Sequence, residues 1–289
     1  MGGYTRRQIL GYTKYLVGLI VPPEFSLLTS LNPIEDIHLE KKVRLEYWLD
    51  KLPIKGKNPR DSFKVGTILG DLGRAEIYVE SNSREYIGAI VMTVPSLDFF
   101  RVHMSKGLVK NGLYIPQTTI RVVNNFGKNF SHSVIKYDQE DRTATYNEDY
   151  KNRKTGKIMG FRNFRIVAAN TMPEGKHFDD IISGLEGIKR ELPYAGFAVI
   201  RQISDENSNP RLDEVVVELS DEKSESGLIL QADLSTLLGN SEGTNILIGH
   251  VNSEGSPVKG SITDVYLWFD LLIERVSPEF SRGGKIVQR

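Results

Sequence analysis

Hydrophobic and polar residues alternate through most of this chain, and this period of two is the feature that most restricts its fold. In IHLEKKVRLEYWL, for example, Val43, Leu45 and Tyr47 fall on one side of an extended backbone. The segments AEIYVES and YIGAIVMTV repeat the pattern, and the turn-forming residues 82–85 between them predict a hairpin. The whole chain contains roughly ten to twelve such strand candidates and three or four short helical patterns.

The strand candidates do not alternate regularly with helices, which argues against a doubly wound parallel sheet. The pattern instead predicts a mainly β fold with a few short helices, arranged as two β-sandwich-like domains. Turn-forming residues cluster in NTMPEG at 170–175 and indicate a seam between these domains. We therefore predict an N-terminal amphipathic segment at 1–30, an N-terminal β-sandwich domain at 31–172 and a C-terminal β-sandwich domain at 173–289.

The N-terminal segment has an arginine pair followed by an apolar stretch, which Lys14 interrupts and two prolines end. The uninterrupted apolar run at 15–21 is far too short to span a bilayer, and no small-residue cleavage site follows it. We predict a short amphipathic helix that docks on its own domain. Docking on a partner or on a membrane surface is the alternative.

The residue types that carry most enzymatic and metal chemistry are absent or scattered. The chain has no cysteine, which excludes disulfides, thiolate metal ligands and a cysteine nucleophile. Its five histidines show no HxH or HExxH spacing, and no nucleotide-binding loop, GxSxG or SxxK motif is present. These observations predict a protein without enzymatic activity, metal or cofactor.

Charge is balanced over the whole chain but is unevenly distributed along it. Lys plus Arg and Asp plus Glu each number 37. Residues 101–165 contain 13 Lys/Arg and five Asp/Glu, a local charge of +8, whereas residues 204–243 contain two Lys/Arg and ten Asp/Glu, a local charge of −8. Such a separation bears on partners and self-association and not on the fold. Two solvated faces without partners are the alternative interpretation.

The segment YNEDYKNRKTGKIMGFRNFR combines cations with aromatic residues. Its first half, at 147–157, is very polar and is predicted to form a loop. Cations beside aromatic residues suit an anionic lipid surface, and they also suit a nucleic-acid backbone. Phe161 and Phe164 are expected to pack into a core while the cations face solvent or lipid. The residues predicted to bind lipid or a partner are Lys151, Arg153, Lys154, Lys157, Arg162 and Arg165.

A helical pattern, FDDIISGLEGIKREL, runs directly into PYAG and then into an alternating apolar run. Pro193 is predicted to end the helix because proline lacks the amide donor and clashes with the preceding turn. Gly196 allows the backbone to bend sharply there. Tyr194 offers a large apolar body with a hydroxyl group, so we predict a packed structural role for it and not a ligand contact.

The order of these features resembles the matrix proteins of nonsegmented negative-strand RNA viruses, and the pneumovirus type most closely. Those proteins carry a helix that runs into a Pro-Tyr-small-Gly junction and an alternating strand, matched here by residues 193–196. They also carry a strand led by proline whose hairpin closes on an aromatic-Asp pair, matched here by Pro116 and by Tyr137 with Asp138. The resemblance covers about residues 45 to 205.

The resemblance implies a non-enzymatic assembly protein with two β-sandwich domains. Such a protein forms a dimer, assembles further beneath the inner face of a membrane, and bridges an anionic lipid surface to viral nucleoprotein. The expected location is then the virion and the host cytoplasm, without a transmembrane segment. Two alternatives stay open: another viral β-sandwich protein, a capsid or movement protein that binds RNA, or a soluble ligand-binding or membrane-inserting β-protein.

Overall fold

The computed structural model describes ten segments of the chain, all within one compact unit, Glu40–Arg275. The predicted N-terminal segment at 1–30 lies outside the described residues. The described segments are 41–53, 73–94, 99–125, 129–152, 157–204, 209–224, 227–235, 246–251, 257–262 and 269–275.

Fourteen β-strands and one α-helix account for most of these residues, which confirms the predicted mainly β fold. The helix, α1, spans Ile181–Ala195 and follows the eighth strand. The strands are β1 (Lys41–Pro53), β2 (Gly73–Ser81), β3 (Glu85–Val94), β4 (Phe99–Lys110), β5 (Leu113–Asn125), β6 (Asn129–Asp138), β7 (Thr143–Asn152), β8 (Ile158–Val167), β9 (Phe197–Ser204), β10 (Arg211–Ser224), β11 (Gly227–Asp233), β12 (Ile246–Val251), β13 (Pro257–Ile262) and β14 (Phe269–Arg275).

The strands form two antiparallel arrays, β1–β8 and β9–β14, in each of which every strand pairs with the next one in sequence. Strands β1 and β14 then pair with each other, from Tyr47 opposite Arg275 to Pro53 opposite Phe269. This pairing joins the arrays into one sheet, in which β8 and β9 are the two end strands.

Several of the sequential pairs are joined by short connections whose residues tolerate tight turns. In the β4–β5 hairpin, the two turn residues Asn111 and Gly112 have φ values of 53° and 74°. Asn-Gly is the preferred pair for a two-residue turn with positive φ at both positions, and the twist of this turn matches that of antiparallel strands. The local sequence therefore sets the register of this hairpin.

The inner faces of the two arrays share a hydrophobic core. Ile135, Tyr146 and Ile166 from β6, β7 and β8 are buried in one cluster with Ile203 from β9, and Leu212 from β10 packs against it. This face-to-face packing is the sandwich-like arrangement predicted from the alternating pattern. The predicted boundary between residues 172 and 173 falls in the connection between β8 and α1, and the division into domains there stays a prediction.

Helix α1 packs on the other face of β9 and β10 from Ile203 and Leu212, and it contacts both arrays. Its buried residues Ile188 and Leu192 lie in a cluster with Val215 and Val217 of β10. Near its beginning, Ile182 packs with Tyr86 and Tyr114, whose stacked rings have centroids 4.4 Å apart. The helix starts after Asp180, whose side chain caps the first turn by accepting hydrogen bonds from the amides of Ile182 and Ser183.

The end of α1 corrects part of the interpretation of the PYAG junction. The helix continues past Pro193 to Ala195 and is closed by Gly196, which has a φ of 75° and donates its amide hydrogen to the Leu192 carbonyl at 3.0 Å. Proline is tolerated because only the last turn follows it, so a single backbone hydrogen bond is lost. Tyr194 is 92% exposed, and the prediction of a packed role for it is therefore wrong.

Candidate interaction site on the β7–β8 hairpin

Residues 147–152, which the sequence predicts to be a polar loop, instead extend β7 and form a hairpin with β8. The amide of Asn152 donates to the carbonyl oxygen of Lys157 at 3.0 Å and closes the hairpin at its tip. Polar residues are compatible with a strand here because the pairing satisfies their backbone groups while their side chains reach solvent or ion partners.

A β-bulge lies next to the tip. Tyr150 pairs with Gly160 but Lys151 pairs with Ile158, so Met159 is the extra residue on β8. A bulge disrupts the alternation of side chains locally and redirects them. As a result, two consecutive apolar side chains are exposed, Ile158 at 54% and Met159 at 61%.

Beyond the bulge, β8 alternates regularly between an inner and an outer face. Phe164 packs against the shared core, its ring 6.4 Å from that of Tyr146, and Ile166 is buried. The outer face is exposed along its length, and Phe161 is among its exposed residues, which corrects the expectation that both phenylalanines are buried. The outer residues of β8 are Phe161, Asn163, Arg165 and Val167.

The cations predicted to bind lipid or a partner fall into three groups. Lys157 and Arg165 are exposed. Arg153 and Lys154, at the turn of the hairpin, lie outside the described residues. Lys151 is buried and Arg162 is partly exposed, and both contact acidic side chains of the same hairpin.

Lys151 is buried, and its ammonium group lies 3.4 Å from the carboxylate of Asp149. The other oxygen of Asp149 is 3.0 Å from Nδ1 of His132 on β6. Burial raises the pKa of Asp149, but the hydrogen bond and charge of His132 together with Lys151 outweigh this effect, so the pKa lies below its ordinary value. The structure thus corrects the prediction of Lys151 as a surface-binding cation and assigns it to an internal charge network.

Arg162 also has partners within the hairpin. Its guanidinium group lies 3.9 Å from Glu148 and stacks 4.6 Å from the centroid of the Tyr150 ring. The hydroxyl of Tyr150 donates to Glu148 at 2.5 Å. These contacts position Arg162 on the inner face, although about a third of its side chain stays exposed.

The basic segment of the sequence coincides with the β7–β8 hairpin, but its charge pattern does not predict the exposed apolar residues there. Ile158, Met159 and Val167 are each more than half exposed, as is Phe161. Strict alternation predicts that one of Ile158 and Met159 points inward. The signal available in the sequence is the glycine at 160, which directly follows this apolar pair and fits a bulge.

A second polar cluster, at the start of α1, is buried and structural. Asp180 accepts hydrogen bonds from Ser105 and, at 2.9 Å, from Thr119, in addition to the two helix amides. Burial raises the pKa of Asp180 despite these bonds. Because strands β4 and β5 supply the hydroxyl groups, the cluster fixes the helix against the N-terminal array.

A small cleft of about 110 Å³ opens beside α1. His177 lines this cleft, and its Nε2 atom is 3.4 Å from the carboxylate of Asp179. The same carboxylate accepts a hydrogen bond from the backbone amide of Arg201 at 3.0 Å. Ser183 also lines the cleft; its hydroxyl donates to Asp179 at 3.4 Å and accepts a hydrogen bond from the Asp180 amide at 2.8 Å. Within the ten described segments, no group of three or more His, Asp or Glu side chains could hold a metal ion.

The comparisons with known proteins give no family. No family model and no curated protein matches this chain. Among solved structures, it is similar to a β-barrel-like protein of the domain of unknown function DUF1849 from Brucella abortus, with 9% identity, 81% of this chain and 96% of that chain covered, and a TM-score of 0.36. In the part of the chain that the structure describes, no helix is long and apolar enough to cross a membrane.

Proposed function

We propose that this protein is a non-enzymatic assembly protein that attaches to an anionic membrane surface through the tip of the β7–β8 hairpin and associates with further copies of itself. The observation that supports this function best is the pair of exposed apolar side chains, Ile158 and Met159, directly beside the exposed cation Lys157. The role of a matrix-like protein that bridges membrane and nucleoprotein, which the sequence resemblance implies, stays a prediction.

Two contributions to the free energy of membrane binding add up in this attachment, one apolar and one electrostatic. Apolar side chains gain free energy when they leave water for the boundary between headgroups and acyl chains. Each cation near an anionic leaflet contributes about 1 kcal/mol in addition. Lys157 and the neighbouring Arg153 and Lys154 of the turn place this charge next to the apolar pair in the sequence. Lys151 does not contribute, because Asp149 neutralises it.

Co-sedimentation with liposomes tests this function. The wild-type protein is expected to pellet with vesicles that contain phosphatidylserine and to stay in solution with neutral phosphatidylcholine vesicles, with weaker binding as salt is added. The double variant Ile158→Ser, Met159→Ser and the single variant Lys157→Glu should each reduce binding to anionic vesicles several-fold.

Ile181→Ser is the matched control, since Ile181 is also an exposed isoleucine but lies on α1. It should bind as the wild type does. If the two hairpin variants bind anionic vesicles as well as the control, or if the wild-type protein never pellets, the hairpin is not a membrane-binding element and this function is wrong.

A further inference from the structure

The inner face of the N-terminal array carries a row of polar and charged side chains next to the shared core. On β6 and β7, Ile135 and Tyr146 belong to that core. Two positions along each strand, a row of polar residues crosses five strands, since directly opposed residues of neighbouring strands point to the same face. This inner polar row consists of His103, Arg121, Ser133, Glu148 and Arg162.

The inner polar row is buried, but the row beyond it is not. His103, Arg121 and Glu148 are 7%, 5% and 4% exposed, respectively. The next row, two positions further from the core, is half-buried on all four strands β4–β7. We call this second row the rim, and its residues are Arg101, Val123, Ser131 and Tyr150. Exposure therefore increases from the core to the rim, and a solute would reach the inner polar row from the rim.

Positive charge exceeds negative charge in these two rows. They contain the guanidinium groups of Arg101, Arg121 and Arg162 and the carboxylate of Glu148, so three positive charges minus one negative charge leave a net charge of +2. Glu148 lies 3.9 Å from Arg162 and accepts the hydroxyl of Tyr150 at 2.5 Å. Positive charge that is withdrawn from water is costly unless an anion balances it.

His103 lies between the two arginines on β4 and β5. It is directly opposite Arg121 and two residues after Arg101 on the same face. Its Nδ1 atom is buried and has no hydrogen-bond partner among the described residues. Burial, with the charges of Arg101 and Arg121, holds the pKa of His103 well below its ordinary value, so the imidazole is neutral at pH 7. A neutral imidazole still has one N–H group to donate.

The donors of this region come from three adjacent strands and suit an oxyanion. Arg121 is fixed in place because its guanidinium group also donates to the carbonyl oxygen of Ile203 at 2.6 Å. The hydroxyls of Ser131 and Ser133 lie on the same face of β6. Guanidinium groups bind carboxylates and phosphates through paired hydrogen bonds. A phosphate group carries about −1.5 to −2 charges at pH 7 and offers more acceptor oxygens than a carboxylate, which matches a net charge of +2.

We propose that Arg101, His103 and Arg121, together with the hydroxyls of Ser131 and Ser133, form a binding site for a phosphate group. The phosphate oxygens would accept hydrogen bonds from both guanidinium groups and from Nδ1 of His103. The ligand enters from the rim and is either inorganic phosphate or a small phosphate monoester. Neither this site nor the exposed hairpin tip requires the other, so the inference goes beyond the proposed function.

Isothermal titration calorimetry tests the site without membranes, so its failure is distinguishable from failure of the hairpin-tip experiment. Inorganic phosphate and glycerol phosphate are titrated separately in chloride buffer of constant ionic strength, and at least one should bind with one site per chain. Binding of glycerol phosphate alone would identify a monoester as the ligand. Sodium acetate, which supplies a carboxylate, should bind at least tenfold more weakly.

Two variants at the half-buried rim probe the contacts with little disturbance of the core. Arg101→Gln should weaken phosphate binding at least tenfold, because it removes a charged donor. Ser131→Ala should weaken it several-fold. Arg165→Gln is the matched control, since Arg165 is an exposed arginine on the outer face of β8. It should bind phosphate as the wild type does.

Nuclear magnetic resonance of the histidine side chains reports on the site directly. Long-range proton–nitrogen spectra, assigned with the His103→Asn variant, should show the Nδ1 resonance of His103 shifting as phosphate is added. The resonances of His132, which is paired with Asp149, should not move. In Arg101→Gln, the His103 resonance should stay in place at the same phosphate concentration.

The inference is overturned if the wild-type protein binds neither phosphate compound, if the His103 resonance does not respond, or if acetate binds as tightly as phosphate. It is also overturned if Arg165→Gln weakens binding as much as Arg101→Gln does. Circular dichroism verifies the fold of each variant, and Ser131→Ala, the smallest change, decides the outcome if Arg101→Gln does not fold.

Discussion

Two aspartates show how the same side chain acquires opposite behaviour from its surroundings. Asp180 is buried among the hydroxyl groups of Ser105 and Thr119, and burial raises its pKa. Asp149 is also partly buried, but the adjacent His132 and Lys151 lower its pKa. For Asp180, the cost of desolvating the charged carboxylate exceeds the stabilisation that neutral hydroxyl groups provide. For Asp149, charged partners stabilise the carboxylate by more than desolvation costs.

These opposite shifts predict opposite pH dependences of stability. The pKa of Asp180 in the folded state is higher than the ordinary aspartate pKa of about 3.9. Asp180 therefore lowers the free energy of unfolding as the pH rises from about 3.9 through its folded pKa. For Asp149, the stabilisation is complete above about pH 3.9 and disappears as the pH falls through its folded pKa.

The measurement is urea denaturation of wild type, Asp180→Asn and Asp149→Asn between pH 3 and pH 7. Relative to wild type, the free energy of unfolding of Asp180→Asn should increase towards pH 7, and that of Asp149→Asn should decrease. If both differences change in the same direction with pH, the environments assigned to these carboxyl groups are incorrect.

At the scale of the element, α1 contains two glycines that look equivalent in sequence but differ in their surroundings. A Cβ added at Gly184 would lie 2.8 Å from Cγ2 of Ile200 on β9, whereas one added at Gly187 would meet nothing within 4 Å. The close approach of helix and strand therefore requires the first glycine but not the second.

This difference makes a matched pair of substitutions informative. Gly187→Ala should raise the free energy of unfolding by about 0.5 to 1 kcal/mol, because alanine loses less backbone entropy in a helix. Gly184→Ala should lower it by about 1 to 3 kcal/mol, because the methyl group forces Ile200 or the helix to move. Thermal and urea denaturation measure both, and equal effects at the two positions would contradict the packing of α1 on β9.

At the scale of the whole molecule, β1 is the strand that unites the two arrays. It pairs with β2 on one side and with β14 on the other, and its Tyr47 is only 4% exposed. Because both arrays depend on this strand and on a shared core, they are expected to unfold as one cooperative unit.

Tyr47→Ala should accordingly destabilise both arrays by about 3 kcal/mol, through loss of a buried aromatic ring. Hydrogen exchange measured by mass spectrometry should show that β5–β7 and β10–β12 lose protection by a similar factor. Tyr194→Ala, at an almost fully exposed tyrosine, is the control and should change neither. Loss of protection in the N-terminal array alone would show that the arrays are independent.

Several features could be predicted locally because the residues that determine them are neighbours in sequence. The alternation in AEIYVES and YIGAIVMTV predicts the β2–β3 hairpin, and the helical spacing in the segment before Pro193 predicts α1. Such signals depend only on the period of a strand or helix and on the chemistry of turn residues.

Other features depended on residues that are distant in sequence, and these are where the sequence-based interpretation failed. Lys151 is buried, and the carboxylate that it contacts also binds His132 of β6, whereas Tyr194 is exposed because the helix turns it away from the core. Neither outcome follows from the residue type or its neighbours, since both depend on which face the tertiary packing covers.

The sequence by itself determined that this protein is mainly β, with antiparallel hairpins and separate basic and acidic segments, because period, turn chemistry and charge are local properties. Only the tertiary structure decided that β1 and β14 join the arrays and that their inner faces share one core. It also decided that Ile158 and Met159 are exposed beside a bulge. The reason is that strand pairing, burial and ion pairing link residues far apart in the chain, and the free energy of these contacts depends on the complete arrangement.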